Sequence, residues 1–115
     1  MGKLIILSYE FLLSLLRLRE VAKIENKSMS PTFKEGDKIF YKKYLINKSI
    51  LKVGQIVIFR HPIQDRIQIK RIKQIKENCI EVIGDNSQYS TDSKSFGFIQ
   101  NEKIIGIVTS KILNF

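Results

Sequence analysis

The stretch Arg66-Ile67-Gln68-Ile69-Lys70-Arg71-Ile72-Lys73-Gln74-Ile75-Lys76, followed after Glu77-Asn78 by Cys79-Ile80-Glu81-Val82-Ile83, decides the fold. Isoleucine and valine alternate with polar residues, the period of a half-buried strand, and the polar break at Glu77-Asn78 predicts a hairpin between two strands. The parity slips once. Ile67 and Ile69 share one face and Ile72 belongs to the other, which predicts a β-bulge at Lys70-Arg71 that re-aims Lys70. A strand buried on both faces, or one that changes sheets, explains the same pattern.

Working outward, Val21-Ala22-Lys23-Ile24-Glu25 alternates in the same way, and further strands are predicted over Lys38 to Lys43, Gln55 to Arg60 and Ile104 to Ile112. Ser30-Pro31-Thr32 reads as a short helical turn, with Ser30 as N-cap and Pro31 at the first position. His61-Pro62 stops a strand, and residues 84 to 103 are polar and turn-rich. The expected architecture is mainly β, a folded sheet or barrel over residues 21–115, preceded by one N-terminal amphipathic helix over residues 1–20.

The chain has 115 residues, enough for one domain and one core. Its net charge of +9 fits nucleic acid or an anionic membrane, yet the cations are dispersed among isoleucines, a pattern that a solvated face explains equally well. Single Cys79 forms no internal disulfide, and one cysteine with His61 makes a poor metal set, so neither a metal nor a cofactor is expected. Leu4 to Leu18 lacks a small-residue cleavage site and is expected to stay attached. As a helix it reaches roughly 22 Å against a hydrocarbon core of ~30 Å, with Glu10 in its middle. Packing on the domain's own body is the default for it, with peripheral membrane contact through residues 4–18 as the alternative, in a protein expected in the cytoplasm.

Ser28 follows the first strand in Ser28-Met29-Ser30-Pro31-Thr32, and Lys70 lies within an apolar strand. A serine hydroxyl needs a neutral base to take its proton, and a lysine amine is neutral only when burial disfavours its charge. Arginine stays charged and cannot substitute. In the loop Gly84-Asp85-Asn86 to Lys94, the hydroxyls of Ser90 and Ser93 suit holding an amine, and Asp92 with Lys94 suits a supporting ion pair. His61 before Pro62 reads as a turn residue rather than a triad base.

In order, these segments resemble the type I signal peptidases, Ser-Lys endopeptidases, over residues 21 to 109. Ile24-Glu25-Asn26-Lys27-Ser28-Met29-Ser30-Pro31-Thr32 with Gly36-Asp37 looks like the family's nucleophile box, Gly54 to Phe59 like its next strand, Ile69-Lys70-Arg71-Ile72 like its base-bearing strand, and Gly84-Asp85-Asn86 through Ser90, Asp92 and Ser93 like its last box. The resemblance implies Ser28 as nucleophile, Lys70 as general base, Ser90 as a hydroxyl orienting the lysine, and Asp92 in support. Asn26 stands where glycine or serine is frequent; Asn tolerates a left-handed backbone and its amide can donate to an oxyanion, beside the backbone N–H of Ser28. Lys94 replaces the usual arginine.

The chain's minimal size and the short path from Arg60-His61-Pro62 to Lys70-Arg71 resemble the branch of nickel-type superoxide dismutase maturation proteases. That branch implies removal of an N-terminal propeptide from the dismutase precursor. A general signal peptidase acting on exported preproteins is the alternative, and a basic β-barrel binding nucleic acid is a second; the expected partner is a precursor protein and not nucleic acid. Self-cleaving SOS repressors share similar chemistry, but no DNA-binding helical domain fits before Ser28.

Overall fold

The computed structural model describes residues 10, 12, 18–86 and 96–112. Its seven strands are β1 (Glu20–Lys23), β2 (Lys38–Lys43), β3 (Ile56–Arg60), β4 (Ile67–Ile75), β5 (Cys79–Ile83), β6 (Ile99–Gln100) and β7 (Ile104–Ile112), with a 3₁₀ turn at Asn101–Lys103. They form one curled antiparallel sheet in the order β1-β2-β7-β3-β4-β5-β6. The mainly β architecture read from the sequence is therefore present, and the hairpin turns where expected, Lys76 N–H donating to Cys79 O at 2.9 Å. β6 lies inside the stretch read as turns. Two residues are too few to show a period, although Ile99 is fully buried opposite Ile80.

Both sheet faces are covered, so the alternating isoleucines divide between two cores. Val57, Phe59, Ile72, Ile80, Val82, Ile99, Ile104 and Ile107 make one. Ile24, Met29, Phe33, Ile39 and Ile58 make the other, with Ile56 and Ile69 packed against it. This corrects the predicted bulge at Lys70-Arg71. The β3–β4 register runs unbroken there, with Val57 opposite Lys70 and Ile56 opposite Arg71. The irregularity instead falls between Ile72 and Gln74 against β5. Gln68, Lys70 and Ile72 alternate regularly into one face, Ile69 faces the other core, and Ile67 is exposed. A strand with two covered faces needs no bulge to place isoleucines of both parities.

Among the described residues, β1 pairs in the sheet only with β2, and the Ile67–Ile69 part of β4 only with β3, since β5 joins β4 from Arg71 onward. The predicted N-terminal helix lies mostly outside the described residues. Glu10 and Leu12 are helical. Glu10, the charge in the middle of the apolar segment, is buried: its carboxylate accepts from Ser110 Oγ at 3.1 Å and pairs with Arg19 Nε at 3.1 Å, which fixes this point of the segment to β7. No helix among the described residues is long and apolar enough to cross a membrane.

Candidate active site

Beyond β1 the chain keeps pairing for one residue, Ile24 N–H donating to Asp37 O at 2.7 Å and Gly36 N–H to Ile24 O at 2.8 Å. Gly36 has a φ of +93°, the left-handed conformation that glycine adopts without a Cβ penalty. The chain then turns tightly. Ser30 N–H donates to Lys27 O at 3.1 Å and Phe33 N–H to Met29 O at 3.0 Å, while buried Met29 and Phe33 hold the turn against the core. Residues 28–32 thus form turns rather than the predicted helical turn, with a cis Ser30–Pro31 peptide.

Ser28 sits at the head of this turn and is 5% exposed. Its N–H donates to Asn26 Oδ1 at 3.0 Å, an Asx turn in which a side-chain carbonyl replaces a backbone acceptor. Asn26 is not left-handed; among the described residues only Asn47 is a non-glycine with positive φ. The N–H expected to hold an oxyanion is therefore engaged by Asn26, through the oxygen of its amide rather than the nitrogen. Asn26 is exposed, so the side chain can swing aside when a stronger acceptor arrives.

A clasp that the sequence reading missed binds this turn to the hairpin. Arg71 Nε and Nη2 donate to Asp85 Oδ1 and Oδ2 at 2.9 and 2.8 Å, a bidentate fork, and Arg71 Nη1 donates to Gly54 O at 2.8 Å. Thr32 Oγ1 donates to Asp85 Oδ2 through a short hydrogen bond. The next residue completes the attachment: Asn86 N–H donates to Ser28 O at 2.8 Å and Asn86 Nδ2 to Lys27 O at 3.1 Å. Hydrogen bonding to Arg71 holds the Asp85 carboxyl below its ordinary range against the opposing effect of burial, and the same bond raises Arg71.

Lys70, the residue before that arginine, is 2% exposed and shares the strand face of Gln68 and Ile72, opposite fully buried Val57. Ser28, Asn26, Ile58, Gln68 and Ile69 line one cavity of about 600 Å³ between β1 and β4. Ser90 and Asp92, expected to support the amine, lie outside the described residues, as does the predicted Asp92–Lys94 pair. His61 is a turn organiser. Its Nδ1 accepts from the N–H groups of Ile63 and Gln64 at 3.1 and 2.9 Å, and its ring packs on Phe96 at 4.6 Å. Burial first, then the charge of Arg66, lower its pKa.

A signal peptidase I V of Bacillus subtilis (strain 168) is 24% identical over 138 residues, covering 76% of this chain and 82% of that protein. Because the aligned length exceeds this chain's own, the relative carries insertions between shared segments. Residues 19–109, which include the buried serine, the buried lysine and the clasp, match the Peptidase S24-like family. The match spans well over half of the sequence, and the chain belongs to the Peptidase S24-like family.

Proposed function

We propose that this chain is a serine endopeptidase in which Ser28 is the nucleophile and Lys70 the general base, acting on an extended segment of a precursor protein. The observation that carries the reading is a lysine 2% exposed, one residue beyond the lining of the cavity that holds Ser28. Desolvation disfavours an ammonium and favours the neutral amine that a serine hydroxyl requires.

In this mechanism Ser28 Oγ attacks the scissile carbonyl carbon while its proton passes to Lys70 Nζ. The carbonyl oxygen gains the negative charge and displaces Asn26 Oδ1 as acceptor of the Ser28 N–H. Collapse breaks the C–N bond, and Lys70 returns the proton to the leaving amine. Water then attacks the acyl ester, giving a proton to Lys70; the acyl C–Oγ bond breaks, Lys70 returns that proton to Ser28 Oγ, and the acid product leaves as a carboxylate with its own proton lost to solvent.

The substrate segment is extended because the cavity lies between β1 and the Ile67–Ile69 part of β4, each with one strand neighbour among the described residues, and an added strand pairs with such edges. For its identity we take the precursor of nickel superoxide dismutase, cut to release an N-terminal propeptide. The short connection from β3 to β4, Arg60 to Ile67, supports this branch. Likeness to a signal peptidase supports the second reading, an exported preprotein. Incubation of each precursor with purified protein, read by product mass, decides between them. Ser28→Ala and Lys70→Ala should abolish cleavage while Ser30→Ala retains it; full cleavage by either of the first two, folded, sinks the mechanism.

A further inference from the structure

Residues 45–53 expose four large apolar side chains, Leu45, Ile46, Ile50 and Val53, at 54, 47, 75 and 63%. Scattered exposed leucines are ordinary, whereas a concentration of this kind marks a contact surface. The loop is held in its shape. Leu45 O accepts from Lys48 N–H at 3.1 Å and Ser49 N–H at 2.7 Å, Leu45 N–H donates to Ser49 Oγ at 2.9 Å, and Asn47 takes φ 66°. Leu45 and Ile50 share a hollow of about 690 Å³ with Leu18, where the described chain enters from its apolar N-terminal segment.

The rim of that hollow is cationic. Arg19, Lys42, Lys43, Lys48 and Lys52 line it, against Glu20 as the single carboxylate. Glu20 pairs with Lys43 at 3.7 Å and Arg19 with Glu10, whereas Lys42, Lys48 and Lys52 pair with no carboxylate among the described residues. Exposed Leu18, Leu45 and Ile50 lining one hollow together with Lys42, Lys48 and Lys52 match an anionic bilayer surface, with hydrocarbon for the first group and lipid phosphates for the second.

We propose that residues 42–53, with Leu18 and Arg19, form a membrane-docking surface for anionic phospholipid. β1 runs from this hollow, which Glu20 lines, to the Ser28 cavity, which Lys23 lines. Docking there therefore sets the peptide cavity about 10 Å along one strand from the lipid headgroups, given ~3.3 Å per residue. Apart from Leu18, this surface draws on no residue of the Leu4–Leu18 segment, and it is independent of the peptidase chemistry, so either can fail without the other.

The test is sedimentation of the full-length protein with vesicles of phosphatidylcholine alone or with 30% phosphatidylglycerol, at low and high salt. Wild-type protein should sediment with the anionic vesicles and be released by salt. Exchanging Lys42, Lys48 and Lys52 for serine together should weaken partitioning about 100-fold, taking roughly a fivefold contribution per lysine, and Leu45→Ser with Ile50→Ser about tenfold. Thermal melts confirm that both variants fold. Equal binding to neutral vesicles, no binding, or unchanged binding by both variants overturns the proposal, the last assigning membrane contact to the N-terminal segment instead. Loss of single-stranded DNA binding in the lysine variant, with vesicles never bound, also overturns it.

Discussion

Asp85→Ala isolates the clasp that attaches the Ser28 turn to β4. The substitution removes both bonds of the fork and the acceptor of Thr32, and leaves Arg71 with Gly54 O alone among its described partners. Hydrogen bonds to charged groups contribute about 1.5–3 kcal/mol and exposed ion pairs about 0–1 kcal/mol. With side-chain exposures of 34% for Arg71 and 16% for Asp85, this pair lies between those limits. We take about 2 kcal/mol, and about 4 °C per kcal/mol for a domain this size lowers Tm by about 8 °C. A double-mutant cycle with Arg71→Met should return about 1–2 kcal/mol of coupling. Because Asn86, next to Asp85, grips the Ser28 carbonyl, kcat should fall about 10- to 100-fold with KM changed less. The pH dependence has a definite sign. The folded Asp85 pKa lies below its ordinary 3.8, so its contribution is complete above that value and is lost as pH falls through the folded pKa. Wild type should thus lose more stability than Asp85→Ala below about pH 4. A Tm change under about 2 °C with additive single mutants would refute the reasoning.

Two further perturbations test the sheet and its turn. Gly106→Ala places a Cβ against the Tyr41 ring and 3.0 Å from Lys42 O, a carbonyl fixed by the β2–β7 pairing, so stability should drop by about 1–3 kcal/mol. Adding Tyr41→Ser should recover part of that loss in chemical denaturation. His61 has a folded pKa below its ordinary 6.5; its contribution is complete above 6.5 and is lost as pH falls toward the folded value, when a proton on Nδ1 breaks its two accepted bonds. Melting between pH 7.5 and 5.5 should therefore cost wild type more than His61→Asn, and equal losses would remove His61 from the account.

Most strands were legible because their alternation is strong. β2 was located to the residue, and β3, β4, β5 and β7 to within one residue at each end. Alternation says nothing about which side of a strand lacks a neighbour, and that determined the rest. Ile67 looks like core and is exposed, while Lys70 looks like one solvated cation among many and is buried. The clasp was not legible by counting. An unbroken register from the hairpin at Glu77-Asn78 sets Arg71 opposite Gly84; the irregularity between Ile72 and Gln74 moves its partner to Ile83, and only then does Asp85 lie two residues further along the same face. The Asn26 cap follows from Asn two residues before a turn, but which end of its amide meets Ser28 depends on backbone geometry that composition does not encode.

Among the described residues, the last strand in sequence, β7, is the third in space, between β2 and β3, and carries the pairings that join either to the opposite half of the sheet. On a ribosome, the β1–β2 and β3–β4–β5 pieces emerge first as separate fragments with unsatisfied inner edges. They join only when residues 104–112 leave the exit tunnel. The serine turn belongs to the first fragment and the buried lysine to the second, so the two meet in a finished sheet only after β7 has been made. Vectorial translation thus delays assembly of the cleft until β7 has emerged.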